Sequence, residues 1–351
     1  MSGVHALAPV GFDDPGHPTG GNVYDRRLID GLASAGWVVA VHPVAGTWPT
    51  PQRPARDRLH RLLARLPDGS VVLVDGLIAS AVPEVVVPAS RRLRVVVLVH
   101  LPLGQRGDPD ATTREGEGLA AAAAVVTTSR WTRDRVLELY PVSPDRVHVA
   151  EPGVDRAAPT RGTPNGGRLL CVAALTPDKG HDLVLAALGK VGHLEWELVC
   201  VGRNDLDPAY AAELVALAVE LGVHGRVSFA GTQTGARLAA SYAAADVVVL
   251  ATRLESYGMV LTEALARGVP VIATEVGGVP EAVGELPGGR HPGLLVPPGD
   301  PGALADAVRR WLELPDLRAT LRERALARRE SLTGWDRTAE TVARVLAGVG
   351  A

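Results

Sequence analysis

Residues 247–274 read VVVLATRLESYGMVLTEALARGVPVIAT and decide the fold class of the chain. The apolar run Val247–Leu250 predicts a buried strand, and the pattern over Met259–Arg267 predicts a helix. Gly268 follows that helix as a C′ glycine does, and Val269–Thr274 is a second apolar, β-branched run. Strand, helix and strand in this order form a βαβ unit, whose two strands lie parallel in one sheet.

The same alternation continues along the whole chain, which therefore predicts an α/β protein. The predicted strands are His5–Val10, Trp37–His42, Val71–Asp75, Arg94–His100, Val125–Thr128, Val147–Ala150, Arg168–Ala173, Glu197–Val201, Val227–Ala230, Val247–Leu250 and Val269–Thr274. The predicted helices are Val23–Ala35, Arg56–Arg65, Arg130–Leu139, His181–Lys190, Ala209–Leu221, Gly235–Ala244, Met259–Arg267, Ala303–Leu312, Pro315–Ser331 and Trp335–Leu346. Arg156–Gly167 has no periodicity and predicts a linker. The two halves predict two Rossmann-like domains, with ligands at the carboxyl ends of the strands facing the cleft between them.

Composition limits the function classes. The chain has 351 residues, 36 Lys and Arg against 39 Asp and Glu, and a net charge of −3. This near-neutral charge argues against nucleic-acid binding through a basic face.

Apolar runs are shorter than the roughly eighteen residues of a membrane helix, and Met1–His5 lacks a signal-peptide pattern. We therefore expect a soluble, cytoplasmic protein. Cys171 and Cys200 lack metal-ligand spacing and predict buried thiols in a reducing compartment.

Two glutamates flank the start of the predicted helix in the opening stretch. Glu255 lies in the loop after the strand, and Glu263 lies about one turn inside the helix. Gly258 lets a ligand approach the backbone, and the first N–H groups of a helix have no partner within it. Carboxylates accept hydrogen bonds from sugar hydroxyls and amides donate them. This arrangement fits a polyhydroxylated ligand, the alternative being two solvated glutamates on an amphipathic helix.

Glu255 and Glu263, with seven residues between them in Glu-Ser-Tyr-Gly-Met…Glu-Ala-Leu, resemble the signature of the retaining family 4 glycosyltransferases of the GT-B fold. Residues 273–281 resemble the following strand and Gly-Gly loop of that family, and residues 293–300 resemble its next segment. The likeness covers roughly the whole chain and is most specific between Leu169 and Asp300.

The resemblance implies a GT-B fold with two Rossmann-like domains and a cleft between them. Residues 1–160 would form an acceptor-binding domain, and residues 167–330 a domain that binds the nucleotide sugar. Residues 331–351 would form a helix that crosses back to the N-terminal domain. Trp335 resembles the start of this crossing segment, the alternative being a helix that caps its own domain.

The same resemblance implies roles for the residues of the signature. Glu263 would bind the ribose hydroxyls of a nucleoside diphosphate, and Glu255 would reach the donor sugar. The backbone amides of Tyr257, Gly258 and Met259 would contact the sugar hydroxyls and the phosphates.

Lys179 resembles the phosphate-binding lysine of the family and is one of only two lysines in the chain. It precedes a predicted helix, whose N-terminus favours anions. The family usually has an arginine five residues earlier, where this chain has Ala174. Arg203, at another strand end, is a candidate to supply the missing charge; an ordinary surface arginine is the alternative.

In the first half, Gly20 and Gly21 resemble the family's first glycine loop and would contact the donor. A plain turn is the alternative, and the spacing is not the Gly-x-Gly-x-x-Gly of dinucleotide-binding proteins. His100 ends a predicted strand, and the resemblance places a functional histidine there. A histidine buried by packing is the alternative.

These observations predict a retaining glycosyltransferase that moves a sugar from a nucleotide-diphosphate sugar to a small soluble acceptor. Its catalytic residues would be His100, Glu255 and Lys179, in a front-face displacement that uses no metal and no cofactor. The alternatives are a nucleotide-sugar epimerase or hydrolase, a non-catalytic nucleotide-sugar-binding module, and an NAD-dependent oxidoreductase. We expect no nucleic-acid partner and no stable membrane insertion. Loops are expected to carry the acceptor specificity, namely residues 13–19, 47–53 and 104–117. The motifs determine neither the acceptor, the donor base and sugar, nor the oligomeric state.

Overall fold

The computed structural model describes residues 3–14, 16 and 18–350. Residues 1, 2, 15, 17 and 351 lie outside the described residues; they fall in the predicted first domain, the predicted loop 13–19 and the last predicted segment. The chain divides into two compact units, Met1–Gly153 with Thr333–Ala351, and Val154–Leu332.

The first unit is built around a parallel sheet of six strands among the described residues. The strands are β1 (Gly3–Pro9), β2 (Val38–Val44), β3 (Val71–Asp75), β4 (Arg94–Val99), β5 (Ala124–Thr127) and β6 (Val147–Val149). The helices are α1 (Gly20–Ser34), α2 (Arg53–Arg65), α3 (Gly76–Ala81), α4 (Pro83–Ser90), α5 (Pro109–Ala121), α6 (Arg130–Leu139) and α14 (Trp335–Gly350).

The strand order of the first sheet is β2-β1-β3-β4-β5-β6. From β1 the chain runs outward to β2 and then returns to β3 on the other side, so the order reverses between β1 and β3. The loops that follow β1 and β3 therefore diverge, which opens a crevice at their carboxyl ends. We call this place the first switch point. Valine dominates the central strands, as is typical of strands buried on both faces.

The last helix belongs to the first unit and packs on α1. Its apolar stripe buries Val342 and Leu346 completely. A Cβ atom added to Gly31 of α1 would lie 2.7 Å from the Cβ of Ala339, so the two helices touch at small residues. The ring of Trp335 meets Tyr24 of α1 edge to face, with 5.7 Å between the centroids.

The second unit contains a second parallel sheet of six described strands, in the order β12-β11-β10-β7-β8-β9. They are β7 (Arg168–Val172), β8 (Glu197–Val201), β9 (Val227–Phe229), β10 (Val247–Leu250), β11 (Val271–Thr274) and β12 (Gly293–Val296). The helices are α7 (His181–Lys190), α8 (Pro208–Glu220), α9 (Gly235–Ala244), α10 (Met259–Leu265), α11 (Val279–Val283), α12 (Pro301–Glu313) and α13 (Pro315–Ser331). The order reverses between β7 and β10, which is the second switch point. Cys171 and Cys200 are register partners on β7 and β8, both buried and free, as predicted.

The predicted loop 104–117 is wrong, because most of it is helix α5. Asp108 caps that helix, its Oδ1 accepting hydrogen bonds from the amides of Asp110 and Ala111. Two glycines hide the helical pattern in the sequence, and one of them, Gly118, lets α5 approach the backbone of α3 closely. Helices α3 and α4 were also not predicted, because their sequences are almost uniformly apolar and show no helical periodicity.

In the described part of the chain, no helix is long and apolar enough to cross a membrane.

Candidate active site

The second switch point brings together two of the predicted catalytic residues. Lys179 ends a short 3₁₀ turn between β7 and α7, and Glu255 lies in the loop between β10 and α10. The Lys179 Nζ donates to Glu255 Oε2 over 2.7 Å. Their side chains are 29% and 15% exposed, so this ion pair is partly shielded and still open to a ligand.

Backbone hydrogen bonds fix the two loops that carry this ion pair. The amide of Arg253 and the hydroxyl of Thr252 both donate to the carbonyl of Asp178, over 2.7 and 3.0 Å. The carbonyl of Glu255 accepts from the amide of Gly278 over 3.0 Å. The positions of Lys179 and Glu255 are therefore set by the backbone and depend little on their mutual attraction.

The start of α10 lies directly after Glu255. Gly258 precedes the helix with a φ of +98°, a conformation that favours glycine. No side chain caps the N-terminus that begins at Met259, so its first amides are available to a ligand. Tyr257 is buried and Met259 is half-buried. The predicted contact of these three residues with a donor stays a prediction.

Glu263 lies one turn into α10 and is held by a tyrosine that the sequence did not single out. The hydroxyl of Tyr242, on α9, donates to Glu263 Oε2 over 2.7 Å. Burial raises the pKa of Tyr242 well above its ordinary value, and the charge of Glu263 raises it further. The phenol therefore keeps its proton and acts as a donor that orients the carboxylate. The guanidinium of Arg267 covers the tyrosine ring, 4.7 Å from its centroid.

Arg203 lies beside the segment where the family's arginine is replaced by Ala174. Its carbonyl accepts from the amide of Leu175 over 2.7 Å. Its guanidinium makes two hydrogen bonds of 2.9 Å with the carboxylate of Asp205. The structure thus places the backbone of Arg203 beside the segment that follows β7, while its guanidinium is paired with Asp205.

A second cation near this strand end is Arg253, which the sequence analysis missed. It donates to the carbonyl of Pro177 over 2.6 Å and holds the carboxylate of Asp182 with both terminal nitrogens. The sequence feature that could have identified Arg253 is its position three residues after the predicted strand Val247–Leu250. The hydrogen bonds to Pro177 and Asp182 indicate that Arg253 helps to fix the conformation of the loop that carries Lys179.

The first switch point brings together Gly21 and His100. Gly20 and Gly21 open α1, whose N-cap is Thr19. A Cβ atom added at Gly21 would lie 3.2 Å from Cδ2 of His100. A side chain there would push against the imidazole, so glycine keeps one face of the ring uncovered.

Two aspartates that the sequence analysis missed surround His100. Its Nε2 lies 2.8 Å from Oδ1 of Asp25 and 3.8 Å from Oδ2 of Asp75. Both carboxyls are about 6% exposed, against 20% for the histidine side chain. Two features of the sequence could have indicated these aspartates: Asp75 ends a predicted strand, and Asp25 lies one helical turn after Gly21. We call these three residues the Asp–Asp–His triad.

Burial and charge shift the pKa values of the triad. Burial raises the pKa of Asp75 to about 7, and the neighbouring charge of Asp25 adds to this rise. For His100, burial lowers the pKa, but the attraction of Asp25 and then of Asp75 outweighs it, so the net direction is upward. The oxygens and the ring nitrogen lie within 4.8 Å of one another, an arrangement that could also hold a metal ion.

Both halves of the chain are similar to known proteins. The family model "Glycosyl transferases group 1" matches residues 161–328, and the model "Glycosyltransferase Family 4" matches residues 18–158. The chain belongs to glycosyltransferase family 4. Family members similar to it include D-inositol 3-phosphate glycosyltransferases from Salinispora arenicola, 34% identical over 72% of this chain, and from Acidothermus cellulolyticus, 36% identical over 64% of it. The chain spans 61% and 53% of the lengths of these two relatives.

Solved structures confirm the GT-B fold of this family 4 member. Sucrose-phosphate synthase from Thermosynechococcus elongatus superposes with a TM-score of 0.81, covering 99% of each chain at 23% identity. HepE from Anabaena, solved in complex with UDP and glucose, gives a TM-score of 0.79, covering 99% of this chain and 100% of that one at 19% identity.

Proposed function

We propose that this protein is a retaining glycosyltransferase that moves a sugar from a nucleoside-diphosphate sugar to a small acceptor. The observation that carries the proposal is the contact between Lys179 and Glu255 at the second switch point. It places a cation and a carboxylate next to an uncapped helix N-terminus, and Glu263 lies one turn further along that helix. A ligand that fits has both a diphosphate and several hydroxyls, as a nucleotide sugar does.

In the proposed reaction, the bond between the anomeric carbon and the diphosphate breaks as the acceptor oxygen attacks the same face of that carbon. The acceptor proton passes to an oxygen of the departing diphosphate, and the configuration is retained. Lys179 and the amides at the start of α10 stabilise the charge that develops on the diphosphate. We propose that these groups do so without a metal and that no cofactor takes part.

The other predicted residues have matching places in this proposal. Glu255 would bind hydroxyls of the donor sugar and Glu263 those of the ribose. Arg203 would add positive charge near the diphosphate once a ligand competes with Asp205. For Gly20 and Gly21, at the first switch point, we propose contact with the donor, and for His100 a catalytic role. Family membership supports the activity, and we propose a cytoplasmic location.

The test is thermal stability against a panel of nucleoside diphosphates and their sugars. A ligand that binds only the native state stabilises it, by about 2.7 kcal/mol at a hundredfold excess over its Kd. We expect a selective rise in Tm with one base. Glu263→Ala should weaken this binding, whereas Glu255→Ala should chiefly slow transfer.

Glu197→Ala is the control, because Glu197 lies at the opposite end of the same sheet, in an ion pair with Arg168. Folded protein that responds to no nucleotide would refute the proposal. Equal, small effects of Glu263→Ala and Glu255→Ala would refute the assignment of their roles. Release of free sugar without any transfer to an acceptor would indicate a hydrolase.

A further inference from the structure

Among the described residues, the first switch point offers a phosphate little positive charge. Asp25 and Asp75 are almost completely buried, and in the described part of the chain neither forms an ion pair with a lysine or an arginine. Buried carboxylates are normally paired with cations. Among the described residues, His100 is the one cationic side chain that pairs with them, so two acidic groups share one imidazole.

Two backbone donors at this edge of the sheet are also already bound by carboxylates. Asp75 caps α3, its Oδ1 accepting from the amide of Leu77 over 2.6 Å. The amide of Gly104, in the turn after β4, donates to the buried carboxylate of Glu115 over 3.0 Å. The amides of Leu77 and Gly104, which could otherwise donate to a phosphate, are thus engaged by carboxylates.

The group that remains open to a ligand is the imidazole. His100 Nε2 is engaged by Asp25, whereas Nδ1 has no partner among the described residues and is not sealed from solvent. A hydroxyl can either accept a hydrogen bond from Nδ1 or donate one to it, so it fits both protonation states of the ring. A fully ionised phosphate only accepts hydrogen bonds, so it fits only the charged ring, and it would approach the two acidic groups behind that ring.

We propose that Asp25 and Asp75 make the first switch point a subsite for the hydroxyl of an uncharged acceptor, contacted by His100, and disfavour phosphorylated acceptors. The inference rests on the proposed function, since it concerns the acceptor of the same reaction. It separates this chain from relatives named for D-inositol 3-phosphate. Asp25 acts as a positioning residue, because it reaches the acceptor only through the imidazole that it orients.

The experiment measures kcat/KM for matched acceptor pairs with the donor identified above. The pairs are myo-inositol and D-inositol 3-phosphate, fructose and fructose 6-phosphate, and glucose and glucose 6-phosphate. In the wild type we expect the uncharged member of at least one pair to be preferred about tenfold or more, since juxtaposed like charges disfavour binding strongly. Asp25→Asn combined with Asp75→Asn should reduce that preference and raise the KM for the uncharged acceptor.

Asp68→Asn combined with Glu197→Gln is the matched control, because it also removes two carboxylates, at the opposite ends of the two sheets, where Asp68 pairs with Arg92 and Glu197 with Arg168. Preference for the phosphorylated member, or no transfer to any uncharged polyol while the nucleotide still binds, overturns the inference and leaves the proposed function standing. Stoichiometric binding of Zn²⁺ or Mn²⁺ that both Asp→Asn changes abolish would make the triad a metal site and also overturn it. Absence of nucleotide binding would refute the proposed function itself.

Discussion

Replacement of Glu255 by glutamine should tighten the binding of a nucleoside diphosphate while it slows sugar transfer. In the structure, the ammonium of Lys179 is held by Glu255 at 2.7 Å. A diphosphate must compete with that carboxylate for the lysine and must also approach its negative charge. Glutamine keeps the size of the side chain and removes the charge, so both penalties fall. The free diphosphate has no sugar, so it loses nothing when the proposed sugar contact is changed.

The size of the effect follows from the exposure of the two side chains. Opposite charges about 4 Å apart attract by about 4 kcal/mol at an effective dielectric constant near 20, before desolvation is counted. Exposed ion pairs contribute a net 0.2–1 kcal/mol or so. Lys179 and Glu255 are 29% and 15% exposed, which places their net interaction near the upper end, at about 1 kcal/mol. The expected gain in diphosphate affinity is therefore about fivefold.

Isothermal titration calorimetry with the preferred nucleoside diphosphate measures this change, and the initial rate of transfer measures the loss of activity. The gain should shrink at high salt, because partly exposed charges are screened. It should also shrink in a Lys179→Met background, where no ammonium is left to release. Glu197→Gln, at the far end of the sheet, should change neither quantity. Unchanged or weaker diphosphate binding by folded Glu255→Gln would refute the reasoning.

Three further predictions concern other contacts. Tyr242→Phe removes the hydroxyl that orients Glu263. Because a hydrogen bond to a charged group contributes about 1.5–3 kcal/mol, nucleotide binding measured by calorimetry should weaken about tenfold or more. An unchanged Kd would contradict the role of this bond. The stability of Asp75→Asn should rise relative to that of the wild type as the pH rises from about 4 to about 7. In this range the folded wild-type carboxyl, with a pKa of about 7, still holds a proton that the unfolded chain has released, so the wild type loses stability. Parallel Tm–pH curves for the two proteins would contradict this prediction. Gly31→Ala should lower the Tm, because its Cβ would lie 2.7 Å from that of Ala339; such overpacking costs about 1–3 kcal/mol, and an unchanged Tm would mean that the two helices separate freely.

The sequence determined the parallel α/β architecture and the positions of the main motifs. Strands such as Val247–Leu250 and helices such as Pro315–Ser331 have the predicted bounds, because β-branched runs and helical periodicity are local signals. The segment from Gly104 to Ala121 was predicted as a loop up to residue 117, since its glycines weaken the helical signal. In the structure the cap at Asp108 and tertiary packing make α5 from this segment.

Only the tertiary structure decided which side chains meet. Tyr242 lies on a different helix from Glu263, and Asp25 and Asp75 are separated from His100 by 75 and 25 residues. No local pattern relates such residues, because the order of the strands in each sheet brings together elements from distant parts of the chain. Local sequence patterns were therefore sufficient to place the functional motifs at the ends of strands. The order of the strands in each sheet determined which residues these motifs contact.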